Sequence, residues 1–591
     1  MKDQSKKRSV FDNPILSTKV KSANVKPFPE LLFGYFIGPF GALLASGIFG
    51  AYLNTYFTNV LFRGEDIRIF GTLLPLLSTI LIVAGNLIAG QLIERTKTKA
   101  GKARPWILLS TVVLCAACIL MFVIPHDANM IVRMVWYAIS YNLYYSVAYP
   151  LYNTANSTLI PTSTRNSSQR GLLASATNVA SLGVMGAGSM VFPTLAGFLL
   201  FDANENPVYG AWMVMFIVVG VFTALCCILQ YYFTRERVTE ETINVPKEQH
   251  KKVSVAKQLS AVGKEPFWWI IIIFYLVFQF SGGMKNLSMQ YFCQWVLEPL
   301  EGMTRVASAG LTQTILGVLG AVPMAIAVVF VWPLSNKYGK KNVTLVGMIV
   351  GVIGGVIAWI GGNNIVPVAI GVALKCLGSA PACYMILAMI SDVLDHVEAK
   401  SGFRCDGLTM SIYSAIMVAS TPITTGIFNG LIGATGYNAD LSAQAASTVT
   451  VIQASYVWVE TIAYAVCGVL LVFFLVEKFL AKDKDLIMER QKAEALAAGI
   501  EWIPHEERLR LEEEKANAEA EEARKAELRA YCERKGLNYE EKEAEYLAKQ
   551  EAKRAAAKAK ADAKAAKAAA KAGKNAPAEQ PSEEKKDDDK E

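Results

Sequence analysis

Histidine is scarce in this chain. Four occur in 591 residues, at positions 126, 250, 396 and 505, and none lies inside an apolar run. No imidazole proton relay across an apolar core is therefore expected. The ten cysteines form no framework. Most lie inside apolar stretches, and the CxxC of Cys115 and Cys118 has no partner pair, so small core residues explain it better than a zinc or redox site. Gly-rich phosphate loop, HExxH and nucleophile elbow are all absent. No catalytic residue and no metal site is assigned, and an enzyme is not expected. Charged residues are also few, at 18%.

Apolar residues fill the space instead, at 53% with a mean hydropathy of +0.31. Twelve apolar runs recur, roughly at 32–61, 69–93, 105–125, 131–158, 171–200, 209–233, 267–297, 307–333, 343–361, 365–391, 408–434 and 449–476. About 20 residues at 1.5 Å each cross a hydrocarbon core of about 30 Å. Lipid offers no partner to bare backbone groups, so these runs must be helices. The expected fold class is an all-α integral membrane protein with twelve transmembrane helices.

Charge marks the topology. Between the second and third runs, residues 94–104 hold six charges, five of them basic. Lys and Arg are enriched in cytoplasmic loops. The 4–5 loop has Arg165 and Arg170, the 8–9 loop Lys337, Lys340 and Lys341, and the 10–11 loop Lys400 and Arg404. The loops at 201–207, 361–364 and 433–440 have no base, while the 1–2 loop, with Arg63 and Arg68, fits least well. Both termini are thus expected in the cytoplasm, with the bilayer as a partner. The net charge of +7 belongs to this asymmetry and does not point to nucleic acid. No cleavable secretion signal is visible.

The chain divides into an N-terminal segment 1–30, six helices in 31–233, a polar loop 234–266, six helices in 267–476 and a charged tail 477–591. The halves echo each other. Gly90 to Arg95 with Gly101-Lys102-Ala103-Arg104 follows the second run, and Asn336 to Lys341 follows the eighth. Parallel six-helix halves with a midplane site between them are the plan of major-facilitator transporters.

Two loops carry a closer likeness. The stretch ERTKTKAGKARPW (94–106) and the stretch from Ile390 to Gly407 resemble the 2–3 and 10–11 loops of the glycoside–pentoside–hexuronide cation symporters, the melibiose-permease family. The second keeps Asp392, Asp395, Glu398, Lys400 and Arg404 in that family's register. The resemblance covers about residues 30–480. It implies a plasma-membrane sugar or glycoside symporter using Na⁺, Li⁺ or H⁺, with no other cofactor. It also implies that Glu94, Arg95, Lys102, Arg104 and the five 10–11 residues close an inner gate.

Some positions depart from the family. Ile82 and Asn86 stand where the resemblance places cation-binding acids on helix 2, and Leu43, Asn153 and Thr177 replace further charged residues. Asn86 is the remaining cation-ligand candidate. It offers oxygen but no charge to offset a cation at low dielectric.

Charge appears in the second half instead. Lys285 and Lys375 lie about 18 Å and 15 Å deep in helices 7 and 10 at 1.5 Å per residue. Lysine there costs about 2.5–3.5 kcal/mol on insertion scales, so each faces a partner or a cavity. One reading ties Lys285 or Lys375 structurally to Glu460 of helix 12, or to backbone carbonyls. The other turns them to the cavity to hold an acidic sugar such as a uronide, or a neutral glycoside. In this fold helix 12 is peripheral, and one acid cannot neutralise two bases, so the cavity reading is preferred. Tyr145, Tyr149, Tyr152, Asn153 and Asn156 of helix 4, with Asn286 and Gln290 of helix 7, complete the expected substrate site. Helix–helix bonding through the amides is the competing role.

The tail is rich in Glu, Lys, Ala and Arg over 485–535, which favours helix, and turns to Ala and Lys over 549–574. The last fifteen residues read as disordered. Two rival functions share the architecture. One is a carrier of lysolipids or other amphiphiles. The other is a transporter-like sensor whose tail binds a cytoplasmic partner.

Overall fold

The structure is a computed structural model. It describes residues 16–22, 24–66, 68–96, 98, 100–164, 167–238, 254–403, 405–497, 505–552 and 555. Arg404, and Lys97, Lys99 and Arg165 of the basic loops, lie outside the described residues, as does most of the Ala/Lys run.

The described bundle is built of helical rods and has no strand, only two isolated bridges. Rod α1 joins Pro27–Ile37, Phe40–Tyr56 and Phe57–Leu61. Then come α2 (Arg68–Arg95) and α3 (Arg104–Leu120). Rod α4 joins Met130–Asn142, Leu143–Ala148 and Tyr149–Ser163. Rod α5 joins Ser167–Ala180, Ser181–Met185 and Gly186–Leu199, and α6 is Tyr209–Tyr232. A short helix, Val255–Gly263, leads to α7 (Pro266–Trp295), α8 (Arg305–Tyr338), α9 (Lys340–Gly361), α10 (Ile365–Ser401) and α11 (Asp406–Ala434). Rod α12 joins Ala446–Gln453, Ala454–Trp458 and Val459–Phe473. Among the described residues, nine helical stretches are long and apolar enough to cross a membrane. Rod α4 is not one of them, because its face of tyrosines and amides lowers its hydropathy.

The outward positions of α2, including Ile69, Leu73, Leu77, Ile80 and Leu87, are exposed although apolar. Such a stripe suits lipid, not water. Inside, one core draws on residues from Tyr35 to Tyr231, and two others on residues from Val262 to Val476. Each group of helices thus has its own packing.

The internal echo seen in sequence has a structural counterpart. Glu236, just after α6, accepts backbone N–H bonds from Lys102 (2.8 Å), Ala103 (2.8 Å) and Arg104 (2.9 Å) at the start of α3. Glu477, just after α12, accepts from the N–H of Lys341 (2.9 Å) at the start of α9. A carboxylate at a helix N-terminus satisfies orphan donors and complements the helix dipole. Both starts are preceded by a glycine with positive φ, Gly101 (110°) and Gly339 (87°). A Cβ on Gly339 would stand 2.7 Å from the Glu477 carboxylate, and one on Gly101 would collide with Glu236.

Small residues set the closest approaches. In the stretch that packs α9 on α10, a Cβ on Gly354 would meet the Gly371 carbonyl at 2.7 Å. Wide-turn Leu143–Ala148 lies just ahead of Pro150, whose ring crowds the carbonyl four residues back. That carbonyl belongs to Ser146 and faces Gly85 of α2.

Beyond α12, helix Leu480–Ala497 packs on α10. Buried His396 contacts Asp483 at 2.6 Å, and Arg490 donates to the carbonyls of Glu398 (3.0 Å) and Ala399 (3.1 Å). Residues 512–552 belong to a separate unit. It holds most of helix His505–Lys535, a turn at Gly536 and a second helix at 539–552. Arg524 ties the two helices, pairing with Glu521 and Glu543 and lying 4.0 Å from the Tyr546 ring centre.

Candidate substrate cavity

A cavity of about 450 Å³ lies where the two groups of helices face each other. The first group contributes Ser46 and Asn54 of α1, Tyr137, Tyr141 and Tyr145 of α4, and Ser189 of α5. The second contributes Lys285 and Asn286 of α7, Gln313 of α8, Cys376 of α10, Thr421, Thr424 and Thr425 of α11, and Tyr456 of α12. Volume and mixed lining are those of a small-ligand site. The oxygen of the Gln313 amide and the Tyr456 hydroxyl are buried without a hydrogen-bond partner.

The three α4 tyrosines fall four residues apart, so they share one helix face. Tyr145 is where the sequence reading expects it, and Tyr137 and Tyr141, which that reading missed, carry the aromatic wall two turns further toward the start of the helix. Tyr149 packs on Tyr144 instead (ring centres 5.8 Å apart), and buried Tyr152 donates to Gln230 of α6 at 2.9 Å. Gln230 in turn donates to Asn156 at 2.6 Å. Tyr152 and Asn156 thus tie helices within the first group. Exposed Asn153 is not in the cavity lining. Asn286 is at the cavity, whereas Gln290 is buried away from it with both side-chain amide atoms unpartnered.

The lysine expectation needs correction in two respects. Lys285 borders the cavity, but Lys375 is shut in at 1% side-chain exposure. Both reach Glu460: Lys285 Nζ at 3.1 Å from Oε1, and Lys375 in contact with Oε2. Rod α12 is not too peripheral for this. It packs on α7, and its wide-turn segment brings Tyr456 to the cavity wall and Glu460 one turn further on. On α2, Asn86 donates its amide to the Ile82 carbonyl of its own helix (2.9 Å), and Ile82 itself is buried.

One end of the cavity is closed by a polar plug. Asn54 and Asn429 of α11 exchange amide bonds at 2.9 Å in each direction. Tyr291 of α7 bonds Asn54 (2.8 Å) and Thr58 (2.7 Å). Asn59 donates to Gln294 (3.1 Å) and accepts from Tyr437 (2.8 Å). Beyond this, Arg63 reaches Asp440 at 2.5 Å, and Glu205 accepts from the Arg305 backbone. Every one of these contacts crosses between the two groups.

At the opposite, basic end four pairings join residues within one group. Arg237 pairs with Glu30 (2.8 Å), and Arg104 donates to the carbonyls of Tyr231 (2.9 Å) and Ala100 (3.0 Å). Lys340 pairs with Asp392 (2.7 Å), and Lys400 with Glu265 (2.7 Å). Glu94 and Arg95 are exposed, Lys102 and Asp395 half-buried.

A bundle of two internally packed groups around one shared cavity is matched by a known family profile, described as MFS/sugar transport protein, over residues 34–478. The chain belongs to that family. It is a multi-pass membrane transporter and not an enzyme. Among curated members of similar sequence, the isoprimeverose transporter of Lactiplantibacillus pentosus is 26% identical over 479 residues, 80% of this chain and 94% of the relative. The glucuronide carrier protein homolog of Escherichia coli is 23% identical over 470 residues, 78% of this chain and 94% of the relative. The putative glycoside/cation symporter YagG of Escherichia coli is 24% identical over 422 residues, 70% and 85% of the two chains. Among solved structures, the nucleoside transporter NupG superposes with a TM-score of 0.50 at 12% identity, over 73% of this chain and 98% of its own, a likeness of fold alone.

Proposed function

We propose that this protein carries a sugar or glycoside across the plasma membrane by alternating access. The two moving bodies are residues 31–233 and 267–476, and the basic end, with both termini, faces the cytoplasm. The observation that carries this reading is the cavity itself. Both groups of helices line it, a tyrosine face stands on one side, and Asn286, Gln313 and three threonines stand on the other. Rings stack on the apolar faces of a pyranose while amides and hydroxyls bond its oxygens. The plug at the far end supports an inward-facing arrangement, with Glu94, Arg95, Lys102, Arg104, Asp392, Asp395, Glu398, Lys400 and Arg404 as the gate that pairs across the basic end in the opposite state.

Relatives named symporters support coupling to a cation, Na⁺ or H⁺. Rod α2 has no acid between Arg68 and Glu94, so the coupling charge belongs elsewhere. The test is counterflow in proteoliposomes against a panel of neutral and acidic sugars, with and without Na⁺ and a pH gradient. Exchange of at least one labelled sugar, weakened tenfold or more by Tyr141→Ala or Gln313→Ala, is the expected result. Failure to exchange any sugar overturns the reading.

A further inference from the structure

Three elements of the basic end close on one imidazole. His396, near the end of α10, has a side chain only 5% exposed. Its Nδ1 stands 2.6 Å from Asp483 of the helix that follows α12. Its Nε2 stands 3.7 Å from Oε1 of Glu265, the residue just ahead of α7. The other Glu265 oxygen accepts from Lys400 at 2.7 Å. Phe267 and Phe479 cover the ring, with centres 5.5 Å and 5.4 Å away. The remaining charges nearby are turned elsewhere. Asp392 is held by Lys340, and Arg490 lies on the carbonyls of Glu398 and Ala399. Asp395 and Glu398 fall one residue before His396 and two after it, on other faces of α10. Lys257 and Lys264 are exposed, at a surface recess that Glu265 and Lys400 also border.

The tautomer of the ring follows from Asp483. A carboxylate only accepts, so Nδ1 carries the proton of the neutral imidazole. Nε2 is then a bare lone pair, and it faces a carboxylate oxygen. Both of those atoms are buried without a hydrogen-bond partner. A bridging water needs about 2.8 Å on either side, so the gap is too narrow to hold one between them. A single proton on Nε2 turns two opposed acceptors into a donor and an acceptor. It also brings the summed charge of Asp483, Glu265, Lys400 and His396 from minus one to zero.

We propose that His396 is a cytoplasmic proton site that controls the inner gate through Glu265 and Lys400. While the ring is neutral, Lys400 is the cation that holds buried Glu265. Drawing Lys400 away to a gate would strand a buried carboxylate, which is costly. A protonated ring takes over Glu265, and Lys400, whose side chain is 58% exposed, is then released to pair across the basic end. The step is the transfer of one proton from water to Nε2. Acid in the cytoplasm therefore favours the closed inner gate and the open far end. The proposal rests on the alternating-access reading and adds a control to it. It does not depend on which sugar is carried or on the coupling ion.

The experiment uses the full-length protein in detergent, without sugar. Carbon-13 signals follow the four imidazoles, and the one lost in His396→Gln identifies His396. That signal should move with acid as the ring gains its second proton. Spin labels at Asn204→Cys and Glu301→Cys, both exposed at the far end, report its opening. Acidification across the range in which an imidazole titrates, from about pH 8 to about pH 5, should raise the long-distance population about threefold. His396→Gln should show no such rise. Glu265→Gln should show the acid population at both pH values, because Lys400 is free in each. Lys400→Gln, at an exposed position, should keep the movement of the His396 signal and lose the distance response. Thermal melting establishes that the variants are folded. A full response in His396→Gln or in Lys400→Gln, or a His396 signal that ignores acid, overturns the proposal. So does a wild type that ignores pH while Asn429→Ala opens the far end, and that result leaves alternating access standing. A far end that opens under neither change overturns both.

Discussion

The side-chain amides of Asn54 and Asn429 bond each other in both directions at 2.9 Å, one from each group of helices. Both are buried, so no water replaces either bond. Removing one partner leaves a buried amide with unmet donors and acceptors, at a cost of about 1–3 kcal/mol to the closed far end. Asn54→Ala or Asn429→Ala should therefore open that end. Spin labels at Asn204→Cys and Glu301→Cys, both exposed there, should report a population at longer distance. An unchanged distance distribution in both variants would contradict this role.

Asp440 is a milder case. Its pairing with Arg63 crosses the same seam, but the carboxylate is 52% exposed. Exposed pairs contribute about 0–1 kcal/mol. Asp440→Asn should shift the same distance distribution much less than Asn429→Ala, and its small shift relative to the wild type should vanish in high salt.

Two glycines of α2 make a matched pair. A Cβ on Gly85 would collide with the Ser146 carbonyl, whereas Gly90 has open space around it. Gly85→Ala should force α2 off α4 and lower the melting temperature in detergent by several degrees. Gly90→Ala should be neutral or stabilising by up to about 1 kcal/mol through helix propensity. Equal melting of the two variants would refute the contact.

The two glutamate caps should differ in strength. Glu236 is fully buried and takes three backbone N–H bonds, while Glu477 is half-buried and takes one from Lys341. Hydrogen bonds to a charged group are each worth about 1.5–3 kcal/mol. Glu236→Gln should cost more stability than Glu477→Gln in denaturant or thermal unfolding.

Truncations should separate the tail into two parts. Loss of residues 512–591 removes a unit with its own contacts and should leave sugar exchange within about twofold. Loss from residue 480 onward also removes the helix held by Asp483 and Arg490 on α10. It should expose the inner end of α10, read as faster hydrogen exchange over 392–401.

The rods, the basic connections and the paired loop motif are legible in the sequence because each depends on composition or on short-range spacing. Depth was legible as well. Counted from near residue 449, Glu460 lies about 16 Å in, level with both lysines at 1.5 Å per residue. Azimuth was not. Which way a residue points around its rod depends on wide turns such as Leu143–Ala148 and Ala454–Trp458, each of which rotates everything beyond it. This is why Tyr145 alone of the expected tyrosines lines the cavity, joined by Tyr137 and Tyr141 instead of Tyr149 and Tyr152, and why the meeting of Glu460 with Lys285 goes against expectation. The four-residue recurrence of tyrosine at 137, 141 and 145 was the signal that marked the right face.

The glycine seams limit how this machine can move. A Cβ on Gly310 of α8 would run into the Pro193 carbonyl of α5, and one on Gly426 of α11 would lie 2.9 Å from the Thr72 carbonyl of α2. At Gly310 main chain rests on main chain across the divide, and at Gly426 the Thr72 carbonyl and the Leu76 side chain close on the glycine together. Neither seam can slide far or part without losing contact along its whole length. In the alternating access proposed above, the line joining them is the natural axle about which the two groups of helices tip. Tipping about that line widens one mouth as it narrows the other, so the cavity opens to one side at a time.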